Sequence, residues 1–129
     1  MNEPRWLTAA MVEAMHSEAL TIFGGTAGTR SPVLLASALD RPKQLHARRP
    51  DAGPFAMAAA LCIAICKINV FEDGRKRVAL LAANAFLFLN GWAFDPAQTD
   101  EVEIMVGVAA GEITEDMLAL WLEANSRQA

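Results

Sequence analysis

Residues Phe55 to Leu89 read FAMAAALCIAICKINVFEDGRKRVALLAANAFLFL: two apolar stretches separated by a short charged segment. The spacing predicts one helix over Phe55–Ile68 and a second over Arg75–Leu89, the latter stopped by Asn90-Gly91. Between Val78 and Leu89 only Asn84 is polar. A helix apolar on nearly all sides packs best with other helices around it, so these two are expected to be the central buried pair of an all-α fold. The apolar run Phe55 to Cys66 is twelve residues, short of the ~20 that cross a bilayer. It is therefore read as a core helix and not as a membrane span. Lys67 to Gly74 then becomes a charged connection pinned between the two most buried elements, the way rigid scaffolds present functional loops.

Working outward, Val12, Met15, Ala19, Ile22 and Phe23 recur at three and four, predicting an amphipathic helix over Thr8–Phe23 with Thr8 as cap and Gly24-Gly25 as stop. Ser31-Pro32 opens a second helix, which Pro42 is expected to end at Arg41. Pro42 to Gly53 reads as a loop of solvated cations. Trp92-Ala93-Phe94 reads as a short extended piece. Asp100–Ala110 turns Val102, Met105, Val106 and Ala109 to one face, and Thr114 caps a last helix with Met117, Leu118, Trp121 and Leu122 inward. The end, Ser126 to Ala129, reads as frayed. The expectation is about six helices in one domain spanning residues 1–129, a length that supports one core.

The formal charge is −4 and the apolar content 53%. An acidic chain is a poor general nucleic-acid binder, since that affinity rests on surplus Lys and Arg. Yet eight of the eleven Lys and Arg residues fall between Arg41 and Arg77, and Val78 to Ser126 holds none. Such clustering points to a local anion site. Cys62 and Cys66, one helical turn apart, read as small buried thiols in a reducing compartment. With no signal-like segment at Met1 to Arg5, the cytoplasm is the expected location.

The charged connection runs Asn69-Val70-Phe71-Glu72-Asp73-Gly74-Arg75-Lys76-Arg77. A glycine and three cations stand where the first N–H groups of a helix lack internal partners, an arrangement that attracts phosphate. A carboxylate beside such a site can hold Mg²⁺ that bridges nucleotide oxygens. The alternative is that Glu72 and Asp73 merely favour the positive helix end while Arg75 to Arg77 are solvated.

This segment resembles the Fic/Doc signature, H-x-F-x-D-G-N-K-R in Doc-type members, with Phe71, Asp73, Gly74, Lys76 and Arg77 in register. The stretch Gly24 to Pro42, with Leu34-Leu35-Ala36-Ser37-Ala38-Leu39-Asp40-Arg41-Pro42, resembles the glycine-containing turn and following helix of the same family. Pro4-Arg5-Trp6-Leu7 and Leu87-Phe88-Leu89-Asn90-Gly91 extend the likeness over most of the chain. The resemblance implies a compact helical Fic/Doc fold and the toxin of a type II toxin–antitoxin pair. Such a toxin moves the terminal phosphate of ATP to a hydroxyl of elongation factor Tu, and an antitoxin protein neutralises it. By the same resemblance Phe71 packs the loop, Asp73 contacts Mg²⁺, Gly74 lets amides approach phosphate, and Lys76 and Arg77 bind phosphate oxygens.

Several positions depart from the family pattern. Asn69 stands where the family has the histidine proposed to take the target's proton, and Arg75 replaces the motif asparagine. An amide takes no proton at physiological pH, and losing a general base typically costs ~10²–10⁴ in rate. Arg75 either grips phosphate or pairs with Glu72 or Asp73 and plugs the site. Val78, Ser31 and Ala36 replace further polar or acidic positions. His16 borders the packed face of the first helix and His46 lies in the basic loop, so neither is expected to replace Asn69. Three functions stay open: a phosphotransferase or nucleotidyltransferase with impaired or altered activity, a non-catalytic domain that binds an antitoxin or target, and, as the weakest, an ordinary helical interaction module whose motif likeness is unused.

Overall fold

The computed structural model describes residues 3–23, 32–68 and 75–129, the side chains of 19–23, 68 and 75 excepted. Six helices and a two-stranded ribbon follow in the order α1 (Ala9–Phe23), α2 (Pro32–Arg48), α3 (Gly53–Ile68), α4 (Arg75–Leu89), β1 (Trp92–Phe94), α5 (Gln98–Ala109), α6 (Glu115–Ala124) and β2 (Ser126–Gln128). The architecture is all-α, as the apolar periodicity requires. None of the described helices is long and apolar enough to cross a membrane.

Helix α3 is the centre. Every residue from Met57 to Cys66 is buried, and α2, α4, α5 and α6 all pack against it. Helix α4 begins and ends where the pattern placed it, and buries Val78, Ala79, Ala82, Ala83, Phe86 and Leu87. It is not enclosed on all sides, however. Leu81 is 43% and Phe88 68% exposed, so the expected buried pair is one central helix and one with an open face. Residue type alone cannot distinguish a leucine covered by neighbours from one left open.

Helix α2 runs seven residues beyond its expected end, through Pro42 to Arg48. Pro42 has no N–H to return to the Ala38 carbonyl, a loss of about 3 kcal/mol in a helix interior. The apolar stripe Leu35, Ala38, Leu39, Pro42 continues unbroken and is buried, with Leu45 packed against the core beyond it. Burial along that stripe offsets the missing bond. The expected loop shrinks to the turn before Gly53, whose φ of +84° only glycine adopts readily. Arg41, on α2, pairs with Glu115 of α6 at 3.2 Å, so the last residue of the expected helix ties two helices together.

Thr8 caps α1, its Oγ1 accepting the Met11 N–H at 3.2 Å, and Thr114 caps α6 by accepting the Met117 N–H at 3.2 Å. Leu118 and Leu122 of α6 are buried, whereas Met117 is exposed, contrary to expectation. The tail is also more ordered than its composition suggests: Ser126–Gln128 pairs antiparallel with Trp92–Phe94, Ala93 opposite Arg127. At the other end, Asn90 donates from Nδ2 to the Arg5 carbonyl at 3.0 Å. In return it accepts the Arg5 N–H at 2.9 Å.

Candidate functional site

The site is assembled by the start of α4 and the outer face of α5. Val78 and Ala79 anchor the first turn of α4 in the core, and this leaves Lys76 and Arg77 exposed on its outer side. Helix α5 is held by Met105 and Val108, both buried, with the Met105 Sδ 3.9 Å from the Cys62 Sγ of α3. Its C-terminus closes on Gly111 at φ +79°. There the Glu112 N–H reaches back to the Gly107 carbonyl at 2.9 Å and the Gly111 N–H to Val108 at 3.1 Å, a Schellman ending.

Between the two helices lies an open hollow of about 220 Å³, lined by Lys76, Arg77, Leu80, Glu101, Val102, Met105 and Val106. The cations stand at one side and the aliphatic wall of α5 at the other. Glu101 is the carboxylate of the lining, and its carboxyl titrates above the usual carboxylate range because burial disfavours the charge and Asp95 adds repulsion. A larger hollow of about 540 Å³, at the other end of α3 around Phe55, Trp92 and Leu120, gathers none of the motif residues.

Of the site residues read from sequence, Lys76 and Arg77 are brought together on this hollow. Asn69, Phe71, Asp73 and Gly74 lie outside the described residues, as do Val70, Glu72, Ser31 and the side chain of Arg75. Sequence reasoning missed the α5 wall. It grouped Val102, Met105, Val106 and Ala109 on one face, yet of these Met105 alone is buried: Val102 is 66% and Val106 52% exposed, and Ala109 is exposed as well. The signal was present in Gly107 and Val108: the buried stripe runs through Met105, Gly107 and Val108, which puts the glycine, not a valine, against Ile113.

The histidines are elsewhere. His16 is buried in α1. His46, now on α2 and not in a loop, meets Trp6 edge-on at 5.8 Å, and its buried Nδ1 finds no hydrogen-bond partner among the described residues. Neither lines the hollow. Cys62 and Cys66 are buried and form no disulfide, and burial, with Cys66 beside it, pushes the Cys62 thiol far up. Such thiols are inert.

Residues 6–87, from Trp6 through α4 to Leu87 and including the motif, match the Fic/DOC family. The chain belongs to the Fic/DOC family. Among its relatives is "Protein kinase doc" of Escherichia phage P1, 29% identical over 107 residues, which covers 82% of this chain and 83% of that protein. The likeness is to the Doc type, as the register of Phe71, Asp73, Gly74, Lys76 and Arg77 suggested. The cationic side of the hollow falls within residues 6–87, whereas the α5 wall lies beyond them.

Proposed function

We propose that the chain is a Doc-like toxin that moves the terminal phosphate of ATP to a hydroxyl of a protein of the translation machinery, elongation factor Tu, and is restrained by an antitoxin protein. Likeness to a phage protein named a kinase supports the class of reaction. The observation that carries the reading is that the two motif cations, Lys76 and Arg77, stand on the first turn of α4 and line one hollow. Cations at a helix N-terminus suit a phosphate chain, because the free amides and the side chains act on the same anion.

The residues fit ATP and Mg²⁺. Magnesium bound with a nucleotide needs only one or two carboxylates, the phosphates and water supplying the rest. A dedicated cage is not required, and among the described residues no three His, Cys, Asp or Glu side chains cluster. By the family resemblance, Asp73 is the carboxylate we assign to the metal, Gly74 the residue that would let phosphate approach, and Phe71 the one that would pack the turn. ATP, when bound, supplies the γ-phosphoryl group: its bond to the bridging oxygen breaks, a bond to the acceptor's hydroxyl oxygen forms, ADP leaves, and the hydroxyl proton passes to water. Lys76 and Arg77 hold the phosphate oxygens against the charge that spreads over them. Asn69 orients the acceptor hydroxyl as a hydrogen-bond partner without taking its proton, and this lowers the rate. Arg75 adds a second planar cation. A translation target places the reaction in the cytoplasm.

A non-catalytic binding domain is the second reading, favoured by one observation: with Asn69 at the base position, neither His16 nor His46 lines the hollow. Labelled ATP, Mg²⁺ and purified elongation factor Tu separate the two. The unmodified chain is compared with the Asn69→His, Arg75→Asn double variant. Slow transfer by the unmodified chain, faster in the variant, is expected. Transfer by the variant alone would mark the natural chain as non-catalytic, and no transfer by either would overturn the proposed reaction.

A further inference from the structure

Helix α5 presents Val102 and Val106 to solvent on the wall that faces the motif cations. Folding does not explain them. A β-branched residue in an exposed helical position lowers helix propensity and gains little burial in return. One turn apart, the two valines form a ridge, and Leu80 and Met105 extend it into the hollow.

Three features describe what would cover this ridge. The hollow, about 220 Å³, is below the ~300–1,000 Å³ of ordinary small-molecule sites; it suits one side chain better than a base with its ribose. Its α5 wall consists of side chains on a helix whose amides are bonded within the helix, so it offers no backbone groups to read the edge of a base. Finally, Asp100 and Glu103 are exposed on the same helix, within a stretch from Val78 to Ser126 that contains no Lys or Arg. Glu103 is three residues from Val106 and therefore its neighbour on the helix surface. Lys76 and Arg77 line the opposite, α4 side of the hollow, so the complementary partner is apolar at one position and carries its basic group on the α5 side, beside Glu103.

We infer that the α4–α5 hollow is a docking site for the acceptor protein: it takes an apolar side chain next to the hydroxyl-bearing residue, with a flanking Lys or Arg set against Glu103. The inference rests on the proposed transfer reaction for its purpose but not for its test. Docking brings the hydroxyl alongside Lys76 and Arg77, so that binding energy from a remote side chain positions the reacting group. Val102 and Val106 then determine specificity.

The test uses fluorescein-labelled peptides GKKLTGG, GKKSTGG and GEELTGG, titrated with the full chain and followed by polarisation. The leucine peptide is expected to bind about tenfold tighter than the serine peptide, a factor typical of burying one aliphatic side chain, and tighter than the acidic peptide. In the Val102→Ser, Val106→Ser variant the leucine–serine difference is expected to vanish while the helical circular-dichroism signal persists. Equal binding of the first two peptides, no saturable binding, or a difference that survives in the variant would overturn the inference. The three-peptide comparison on the unmodified chain stands even if the variant unfolds. ATP–Mg²⁺ binding by the unmodified chain is measured in parallel, so failure of the nucleotide reading is distinguished from failure of the docking site.

Discussion

Ile113 lies over Gly107 so closely that a Cβ added at Gly107 would come within 2.6 Å of its Cγ1. This contact fixes how α5 sits on the core, and with it which α5 residues face α4. Gly107→Ala should add roughly 1 kcal/mol of helix propensity, yet Cγ1 is not the free tip of the isoleucine, and overpacking of this kind costs about 1–3 kcal/mol. The net expectation is a loss of about 1 kcal/mol, read as a lower denaturation midpoint at unchanged slope. In an Ile113→Ala background, which removes Cγ1, Gly107→Ala should lose its penalty and show only the gain in helix propensity.

Asn90 joins the two ends of the family-matched region. Its side chain exchanges two hydrogen bonds with Arg5 and donates to the Phe86 carbonyl at 2.8 Å. Asn90→Ala is expected to cost about 1 kcal/mol, because the partly buried Phe86 carbonyl loses a donor and the exposed Arg5 backbone groups turn to water. Loosening of the Trp6 stack on Phe86, 5.9 Å between ring centres, should accompany it as a shift in tryptophan emission.

Glu101 gives a pH signature. Its carboxyl titrates higher in the fold than in the unfolded chain, first through burial and then through Asp95. The native state thus binds the proton more tightly, and this group's contribution to stability falls as pH rises through its titration. A first-turn position in α5 favours the charge, but burial and Asp95 outweigh it. Glu101→Gln is therefore expected to be more stable than the parent at pH 7 and indistinguishable at pH 3, measured by urea unfolding at both.

Neither cysteine should react in the folded protein. With both thiols buried, a disulfide reagent is expected to label Cys62 and Cys66 only once denaturant unfolds the chain. Immediate labelling of both in the native state would contradict the central position of α3.

The parts of this fold that were legible in sequence are those set by local chemistry. Thr8 and Thr114 mark helix starts because a side-chain oxygen must meet a free amide, and α4 announces both ends through its motif and Asn90-Gly91. What misled was tertiary in origin. Pro42 breaks isolated helices, but here burial of its ring and of Leu39 carries α2 onward. Ser126 to Gln128 is polar and unremarkable until Trp92 to Phe94 offers it a strand edge. Val102 and Val106 fit an inward face by period alone, and only the approach of Ile113 to Gly107 rotates them outward. The hollow was half visible, since its cations belong to the motif and its apolar wall does not.

The central claim is that Lys76 and Arg77 jointly hold the phosphates of a nucleotide at the start of α4. Both are exposed, so the Lys76→Gln, Arg77→Gln variant should fold as the parent does. Equilibrium binding of ATP–Mg²⁺ at fixed salt is the direct measurement. Saturable binding by the parent, weakened at least about tenfold in the variant as charge-assisted bonds are removed, is the expected result. No binding by the parent, or equal binding by both, would contradict the account.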